Sequence, residues 1–412
     1  MKITNKPFIQ TQTKVELADV LGTHLSDYRK KYTLSPDQGK AAEAILACRT
    51  EKMGGQIELC NDCGYVHYMF NSCRNRHCPK CQTMSKEKWL EARKSELLPV
   101  KYFHAVFTLP HEINPVARCN KRVIYTILFK SATQTLKCFA QDPAHKLNGE
   151  ISITTILHTW DQKLNHHIHL HCMVPGGALS ADKKEWHGVK GDYLFPVKAL
   201  SAVFRGKFMD MLKQAFADGS LQFPGKTEPL GTRHGFKQLT NQMWSKKWVV
   251  YAKEPFRSPE DVLEYIGRYT HRIAISNERI RSLQNNVVTF TYRDRKRKVK
   301  ALCFLDTVEF IRRFLLHVLP SGYMRIRHYG ITANRCKKEN IRICKALLGV
   351  SDETPVSHDK TIRERMLELT GRDITLCPAC GKGKLIVVAE IPDRYGVYRR
   401  KRKVRLECAG ST

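Results

Sequence analysis

The stretch that decides the fold is residues 165–174, which runs Asn-His-His-Ile-His-Leu-His-Cys-Met-Val and holds four of the chain's 17 histidines. Three of them, His167, His169 and His171, alternate with apolar residues. Successive side chains of a β-strand point to opposite faces, so we expect the three imidazoles on one face and the apolar residues on the other. The following Pro-Gly-Gly, residues 175–177, ends the strand and turns the chain. The pattern predicts a strand with one side in a core and a row of nitrogen ligands on the other.

Clustered imidazoles on one strand face are typical of metal binding or proton transfer. The alternative is a half-exposed strand whose histidines face water, and an isolated His-x-His pair would favour it. Strict alternation of three histidines with apolar residues favours the metal site instead. We therefore expect His169 and His171 to hold a divalent ion.

The composition points to a polyanionic partner. The chain has 412 residues, enough for two or three domains, and 42% of them are hydrophobic. It carries 70 Lys and Arg against 39 Asp and Glu, a net charge of +31. Such an excess predicts nucleic acid first and an anionic membrane surface second, although no basic amphipathic anchor stands out. Without a run of 18 apolar residues, no membrane span is expected.

Fifteen cysteines would suit a secreted disulfide protein, but their spacing indicates metal knuckles. Three Cys-x2-Cys pairs begin at Cys60, Cys78 and Cys377, and the total number of cysteines is odd. No continuous apolar run follows the N-terminus, so no signal peptide is expected. These features predict a reducing cytoplasm.

The two N-terminal pairs, Cys60 with Cys63 and Cys78 with Cys81, are separated by a gap of 14 residues. Four thiolates at this spacing predict one tetrahedral Zn²⁺ site. The ion would hold together a segment with too few apolar residues to fold alone.

Other residues of this cysteine-rich region remain after that assignment. Cys48, Cys73 and His77 either form a second zinc site or are ordinary buried thiols and a surface histidine. Arg74 and Arg76 lie among the ligands, and such cations suit contact with DNA phosphates.

The third pair, Cys377 and Cys380, is only half a site. Cys336, Cys344, Cys408 or a histidine could complete it, and the sequence does not select among them. The tail from 398 to 405 is strongly basic.

Local patterns predict the remaining elements. Ser35-Pro36 begins a helix that runs to about Ala47. We expect helices at about 84–99, 118–140, 199–218, 306–319 and 334–349, strands at 102–110, 151–157 and 243–252, and a hairpin from 273–276 and 287–293.

Residues 258–272 form the second decisive pattern. They open with Ser-Pro-Glu-Asp, which is an N-cap, a proline at the first helical position and two acids in the first turn. Tyr265 and Tyr269 are four apart and share one helix face, as do Arg268 and Arg272. The arginines could hold a phosphate and stabilise a phenolate. The alternative is two core tyrosines with satisfied hydroxyls.

A tyrosine can act as a covalent nucleophile. An ion held by His169 and His171 would serve as Lewis acid and template for attack on a DNA phosphate. The product would be a phosphotyrosine and a free 3′-hydroxyl, without a need for ATP. Two tyrosines on one face would allow two successive strand exchanges.

The motifs also resemble a known family. His-hydrophobe-His followed by Tyr-x3-Tyr is similar to the HUH single-strand endonucleases, and the surrounding words resemble the insertion-sequence-ninety-one type of rolling-circle transposase. These words span residues 73–81 (CRNRHCPKC), 107–112 (FTLPHE), 169–177 (HLHCMVPGG), 265–269 (YIGRY) and 325–330 (RIRHYG). The resemblance covers about residues 20 to 350.

The resemblance implies an α+β fold. Its centre would be an antiparallel sheet of ferredoxin-like or RNA-recognition-motif-like topology, with flanking helices and an N-terminal zinc-binding domain. The histidine strand would be central, with the helix of Tyr265 packed over it. The expected domains are a helical and zinc-binding DNA-binding domain (1–95), an HUH catalytic domain (96–310), and a C-terminal helical region with a candidate zinc knuckle and basic tail (311–412).

The resemblance also implies an activity, namely nicking of single-stranded DNA at an element end, a 5′-phosphotyrosine intermediate, and joining to target DNA. Tyr265 and Tyr269 would be the nucleophiles, although relatives with one tyrosine exist. The partners would be single-stranded element ends and target DNA in a bacterial cytoplasm, at the nucleoid, without a membrane.

The family implies Mg²⁺ or Mn²⁺ as the catalytic ion and Zn²⁺ as the structural one. Ligand chemistry alone would favour Zn²⁺ or Mn²⁺ at the histidines, because Mg²⁺ prefers oxygen ligands. His167 is the first candidate for the third ligand because it shares the face of His169. Gln162 and His158 are the alternatives.

Three other functions compete with this one. A plasmid replication initiator or relaxase would use the same chemistry, but the zinc-knuckle N-terminus disfavours it. A non-enzymatic zinc-finger regulator explains the charge and the knuckles and leaves the histidines and tyrosines without a role. A three-carboxylate transposase is disfavoured because acids are scarce and form no telling constellation.

Overall fold

The structure is a computed structural model that describes residues 14–145, 147–256, 261–262, 265, 267, 273–294, 297–350 and 360–393. Helices and strands are mixed along the chain, and every pairing between its described strands is antiparallel. The expected α+β class with antiparallel sheets is confirmed. Among the described residues, no helix is both long enough and apolar enough to cross a membrane.

The described helices are α1 (Leu17–Lys31), α2 (Pro36–Ala47), α3 (Gln82–Lys94), α4 (Asn114–Cys119), α5 (Lys121–Gln141), α6 (Val197–Ala217), α7 (Arg233–Ser245), α8 (Thr307–Leu316), α9 (Lys337–Leu347) and α10 (Ile362–Thr370). Short 3-10 helices span Glu51–Met53, His111–Ile113, Pro143–His145, Gly225–Gly231 and Asn277–Arg279. Asp261, Val262, Tyr265 and Gly267 are also helical, and we call this segment the tyrosine helix.

The strands are β1 (Gly55–Cys60), β2 (Val66–Phe70), β3 (Tyr102–Thr108), β4 (Ser152–Trp160), β5 (His166–Pro175), β6 (Gly177–Leu179), β7 (Trp186–Gly188), β8 (Val249–Phe256), β9 (Ile280–Gln284), β10 (Val287–Arg293), β11 (Lys300–Asp306), β12 (Ile326–Gly330) and β13 (Leu385–Ile391).

The central sheet has five strands in the order β12-β4-β5-β3-β8. Its first four strands along the chain are β3, β4, β5 and β8, and helices separate β3 from β4 and β5 from β8. If β3, β4, β5 and β8 are numbered one to four in chain order, their order across the sheet is 4-1-3-2. Strand β12 is added at the edge, next to β4. That is the β-α-β-β-α-β arrangement of ferredoxin-like folds. The histidine strand β5 is central, as the family resemblance implied.

A tight turn fixes the register between β4 and β5. Asp161 Oδ1 accepts hydrogen bonds from the backbone N–H groups of Lys163 and Asn165, both at 2.8 Å. Leu164 completes the turn with a left-handed φ of +62°. The resulting register sets His158 opposite His169. This turn therefore decides which side chains meet across the two strands.

The two faces of the central sheet have different neighbours. On one face, apolar residues of β3, β4 and β5 join a core with α5, α6 and α7; from β5 these are Ile168, Leu170 and Cys172, as the alternation predicted. On the other face, Met173 of β5 packs with Val262 and Tyr265 of the tyrosine helix and with Trp89 of α3. The histidines at odd positions of β5 belong to this second face.

A second core lies beside the sheet and joins distant segments. It combines α1 and α2 with α8 and the sheet β11-β10-β9. Helix α2 begins at the predicted Ser35 cap, where Gln38 N–H donates to Ser35 Oγ at 3.3 Å. Asp306 caps α8 by accepting from Val308 N–H at 2.9 Å.

A third sheet, in the order β13-β1-β2, pairs strands from opposite ends of the chain. Contacts therefore join all three of the expected domains, 1–95, 96–310 and 311–412. Strand β13 of the third pairs with β1 of the first, and α1 of the first packs on α8, which spans the boundary at residue 310. As domain boundaries, those three segments stay a prediction.

Two sequence expectations about elements were wrong. Trp244 belongs to the last turn of helix α7, and the strand expected from 243 begins only at Val249. The hairpin expected from 273–276 and 287–293 was the second error. Strand β10 pairs with β9 instead, because Asn285 and Asn286 both take positive φ and make a two-residue turn between these two strands. The basic tail at 398–405 lies outside the described residues.

Candidate active site and metal centres

Three histidines on adjacent strands bring ring nitrogens together. His158 lies on β4, and His169 and His171 lie on β5. One nitrogen from each ring lies within 4.8 Å of the others. The His158 centroid is 5.4 Å from that of His169 and 4.7 Å from that of His171. The structure thus groups the two expected ligands with His158, one of the alternatives for the third ligand.

His167, the first candidate for the third ligand, is not in this group. It lines the same cavity, with its ring 4.8 Å from that of His169 and 5.6 Å from that of His111. The physical reason is strand geometry. His167 is four residues from His171, which is about 14 Å along the strand, whereas residues directly opposite on a neighbouring strand are about 5 Å apart. His158 is opposite His169, so it can meet both ligands. Gln162 lines the cavity as well.

A hydrogen-bonded series joins Tyr265 to this group. The Tyr265 hydroxyl lies 3.2 Å from His104 Nδ1. His104 Nε2 lies 2.9 Å from His171 Nδ1, and these two rings stack with an interplanar angle of 10°. His104 is buried on β3. Sequence reasoning missed His104, although one signal was present: it is an ionisable side chain within a strand that was expected to be buried.

One cavity of about 780 Å³ contains all of these groups. Its lining also includes Lys163 and Arg293, and Lys163 Nζ lies 4.6 Å from the ring centroid of Tyr292. Tyr251 stands at its edge on β8 with 54% of its surface exposed. The remaining lining residues are Val106, Thr108, His111, Trp160, Asp161, Val249 and Asp294. Cations and aromatic rings around an open cavity suit a phosphate and a base.

Helix α3 packs closely on the tyrosine helix. A Cβ added at Gly267 would lie 2.8 Å from Leu90 Cδ1 and 3.1 Å from Lys86 Cε. Trp89 of the same helix joins the cluster around Tyr265. Gly267 therefore lets the two helices approach. Tyr269, Arg268 and Arg272, the other candidates of the pattern at 258–272, lie outside the described residues.

The cysteines form two groups of four, and the grouping differs from the expected one. Cys60 and Cys63 meet Cys377 and Cys380, and the four sulfur atoms lie within 4.8 Å of one another. The expected single site of Cys60, Cys63, Cys78 and Cys81 is thereby corrected. The reason is that β13 pairs with β1 and delivers the third Cys-x2-Cys pair, a contact that spacing along the chain does not encode.

The other group of four combines Cys78 and Cys81 with Cys48 and Cys73. Cys81 Sγ lies 3.5 Å from Cys48 Sγ and 3.6 Å from Cys73 Sγ. Cys48, Cys73 and Cys78 are buried in the second core. Hydrogen bonds, chiefly with Cys48, lower the pKa of the Cys81 thiol, and this favours the thiolate that a metal requires.

His77 has a different role from the expected ligand. It is half-buried, desolvation lowers its pKa to about 3, and its Nε2 accepts from Leu319 N–H at 3.3 Å. It is therefore a neutral structural histidine and not a ligand beside Cys48 and Cys73.

The two arginines expected to contact DNA are placed differently. Arg76 donates to the backbone carbonyls of Tyr323 at 2.5 Å and Pro320 at 2.8 Å, so it ties the knuckle to that loop. This corrects its expected role, since a guanidinium held by carbonyls is turned inward. Arg74 is exposed.

Two family models match the chain. One, described as "Putative transposase", matches residues 152–340, and the other, described as "Transposase zinc-binding domain", matches residues 20–109. Together they include the histidine strand, the tyrosine helix and six of the eight clustered cysteines. Both describe transposases.

Two relatives extend this similarity over most of the chain. "Putative transposase y4qJ" from Sinorhizobium fredii (strain NBRC 101917 / NGR234) is 44% identical over 90% of this chain and 94% of its own length. "Transposase for insertion sequence element IS801" from Pseudomonas savastanoi pv. phaseolicola is 25% identical over 84% of this chain and 82% of its own. The chain belongs to the insertion-sequence-ninety-one type of transposases, which confirms the family that the motifs indicated.

Membership of this transposase family establishes the general activity of the chain. The chain is a transposase, an enzyme that acts on DNA, and it carries a zinc-binding domain. Its cysteine and histidine groups fit metal binding.

Proposed function

We propose that this transposase nicks and rejoins single-stranded DNA at the ends of its element, with Tyr265 as a nucleophile and a 5′-phosphotyrosine as the intermediate. The observation that carries the proposal is the series Tyr265–His104–His171, which joins a phenol to the metal-binding candidates inside one cavity. Single-stranded element ends and target DNA are the proposed substrates.

The histidine group fits a divalent ion. Three imidazole nitrogens converge on the cavity, and imidazole is a common ligand of divalent transition metals. An ion held by His158, His169 and His171 would act as a Lewis acid and align a phosphate oxygen. We propose Mg²⁺ or Mn²⁺, with Mn²⁺ bound more tightly because Mg²⁺ prefers oxygen ligands.

His104 sets the polarity of the hydrogen bonds around Tyr265. Because His171 Nδ1 faces His104, Nε2 is the His171 nitrogen that remains for ligation. A His171 that ligates through Nε2 keeps its proton on Nδ1 and donates it to His104 Nε2. His104 then carries its own proton on Nδ1 and donates it to the Tyr265 oxygen. Such a hydrogen bond stabilises the phenolate and so favours attack.

The reaction conserves phosphodiester energy. The Tyr265 oxygen gives its proton to solvent water and forms a bond to phosphorus, and the bond from phosphorus to the 3′ oxygen of the upstream nucleotide breaks. That oxygen takes up a proton and becomes a free 3′-hydroxyl. Rejoining is the reverse reaction, with another strand's 3′-hydroxyl as the nucleophile, so no ATP is consumed. Tyr269 would provide a second, successive exchange.

The cavity surroundings would hold the strand. Lys163 and Arg293 supply cations for phosphates, and Tyr251 and Tyr292 offer aromatic faces on which bases can stack. Arg74, Arg268 and Arg272 stay candidates for further phosphate contacts. Zn²⁺ held by Cys48, Cys73, Cys78 and Cys81 would stabilise the segment that leads into α3.

The nucleophile is tested with single-stranded oligonucleotides that cover either end of the element encoding the chain, in the presence of Mn²⁺. The full-length protein should form a covalent band that survives denaturing electrophoresis. Tyr265→Phe with Tyr269→Phe should form none, whereas Tyr68→Phe, an exposed tyrosine outside the cavity, should form it normally. An adduct in the double variant would show that neither tyrosine is the nucleophile.

The metal role is tested with His169→Ala. This variant should lose divalent-dependent nicking and retain binding of the same oligonucleotide in a gel-shift assay. His234→Ala, on an exposed part of α7, is the matched control. Undiminished cleavage by His169→Ala would contradict the role given to this group.

A further inference from the structure

Two similar knuckles face each other although they come from opposite ends of the chain. Each has the sequence Cys-x2-Cys-Gly, at residues 60–64 and 377–381. Gly64 and Gly381 have positive φ angles of 70° and 69°. Their N–H groups donate to the carbonyls of Cys60 and Cys377 at 3.1 and 2.9 Å. The two turns therefore share one backbone geometry.

The sulfur atoms have the spacing of a tetrahedral zinc site. Cys60 Sγ is 3.8 Å from Cys380 Sγ, and Cys63 Sγ is 3.7 Å from Cys377 Sγ. Zn–S bonds of about 2.3 Å in a tetrahedron place sulfur atoms about 3.8 Å apart. A disulfide would require about 2.05 Å. The geometry fits one ion shared by both knuckles.

Backbone N–H groups are arranged to stabilise thiolates. Cys63 N–H approaches Cys60 Sγ at 3.5 Å, and Gly383 N–H approaches Cys380 Sγ at 3.3 Å. A Cβ at Gly383 would lie 2.4 Å from Cys60 Sγ, so glycine permits the close approach of the two knuckles.

Apolar burial contributes little to this contact. Strand β13 pairs with β1, yet its central residues Ile386, Val387 and Val388 are 52%, 48% and 57% exposed. The knuckles are also linked by Asn61, whose Oδ1 accepts from Lys384 N–H at 2.8 Å. A small sheet without a core of its own commonly needs a metal or a disulfide for stability.

We propose that Cys60, Cys63, Cys377 and Cys380 bind a Zn²⁺ that clasps the C-terminal segment onto the N-terminal zinc-binding domain. Half of its ligands lie beyond residues 20–109, the part that the zinc-binding family model matches. The clasp is a site separate from the Cys48 group and does not depend on the nuclease chemistry. It makes the C-terminal segment a structural part of the zinc-binding domain.

The clasp secures elements that support α3. From the same C-terminal segment, Arg365 of α10 pairs with Glu91 of α3. From α9, Lys337 Nζ bonds Glu96 Oε1 at 2.5 Å. Through Arg365, the zinc would therefore help to hold α3, the helix that packs on the tyrosine helix.

The test counts zinc in the full-length protein by native mass spectrometry and elemental analysis. Three variants are compared with the unmodified chain, namely Cys377→Ser with Cys380→Ser, Cys60→Ser with Cys63→Ser, and all four substitutions together. Each should lose the same single equivalent of zinc, because both pairs hold one ion. Cys119→Ser with Cys138→Ser removes two exposed thiols outside the clusters and should lose none.

Two outcomes would overturn the clasp. The first is unchanged zinc content in Cys377→Ser with Cys380→Ser, and the second is loss of two equivalents in the fourfold variant. If a variant fails to fold, X-ray absorption of the unmodified protein decides instead, once a mild chelator has removed ions from the histidine site. Two zinc equivalents per chain, both in an all-sulfur shell at about 2.3 Å, support the clasp, whereas a single equivalent, nitrogen ligands or a sulfur–sulfur bond contradict it. Cys380→His should keep the zinc equivalent that the Cys→Ser variants lose, because imidazole also ligates zinc.

Discussion

The four-thiolate groups and the three-histidine group differ in what surrounds them. Cys48, Cys73 and Cys78 are buried in a core, and with Cys81 their four sulfur atoms lie within 4.8 Å of one another. The histidines offer three nitrogens at the wall of a cavity of about 780 Å³, with His169 only partly buried. Structural zinc sites are closed, whereas catalytic sites keep an open position. The difference teaches that this chain separates stability from chemistry, and each prediction below tests that separation.

The largest effect is expected at the closed site. Cys78→Ser should release zinc and unfold the N-terminal region, because structural zinc contributes about 10–16 kcal/mol in zinc-finger peptides. Thermal unfolding and zinc content are the measurements. Cys138→Ser, an exposed thiol outside both groups, is the control. If Cys78→Ser keeps its zinc and its melting temperature, this group is not a closed structural site.

A substitution at the open site should lower the rate of DNA nicking and leave the thermal stability of the protein unchanged. His104→Phe keeps a buried ring and removes the hydrogen bonds to Tyr265 and His171. We expect nicking to slow about 10- to 150-fold, since a hydrogen bond to a charged group contributes about 1.5–3 kcal/mol. His104→Asn, whose amide can replace Nδ1–H, should recover part of the rate. Equal rates in the two variants would mean that His104 only fills space.

These two contrasts show what the sequence could and could not predict. The alternation in residues 165–174 predicted a strand because a period of two is a local property, and only the family resemblance implied that this strand would be central. The pairing of Cys60 with Cys377 could not be predicted, since it depends on β13 adding to β1. His158 was one of three alternatives until the turn at Asp161 set the register. His104 was missed because a single histidine in a strand shows no period.

Acid should weaken the scaffold behind the open site. Burial lowers the pKa of His317 to about 3, and its ring lies 3.2 Å from Thr159 Oγ1 and 3.1 Å from the Leu164 carbonyl oxygen. The folded pKa lies below the unfolded value of about 6.5, so this stabilisation is present above that pH and is lost as pH falls towards 3.

The expected loss from His317 between pH 7 and pH 5 is about 2 kcal/mol. Denaturant unfolding of the protein and of His317→Gln at both values measures it. The variant should be less stable at pH 7 and should lose about 2 kcal/mol less on acidification. Identical pH dependence in the two proteins would show that His317 does not bind more protons on unfolding.

The smallest effect is expected at the rim of the cavity. Tyr251→Ala removes an exposed ring that lies opposite Val106 on the face of the histidines. Affinity for single-stranded DNA should fall by about 1 kcal/mol, at the low end for loss of one stacked base. Fluorescence anisotropy measures the change, and Tyr251→Phe should bind like the unmodified chain. A Tyr251→Ala variant with full affinity would place the strand elsewhere.

The central claim is tested most directly by locating the covalent bond. The Tyr269→Phe protein is incubated with Mn²⁺ and a single-stranded element end that carries different labels at its two ends. The account predicts that the 3′-labelled fragment stays on the protein through a 5′-phosphate on Tyr265, found by peptide mass spectrometry. The released fragment should end in a 3′-hydroxyl that a polymerase extends. A bond to another residue, a bond through a 3′-phosphate, or no bond at all would contradict it.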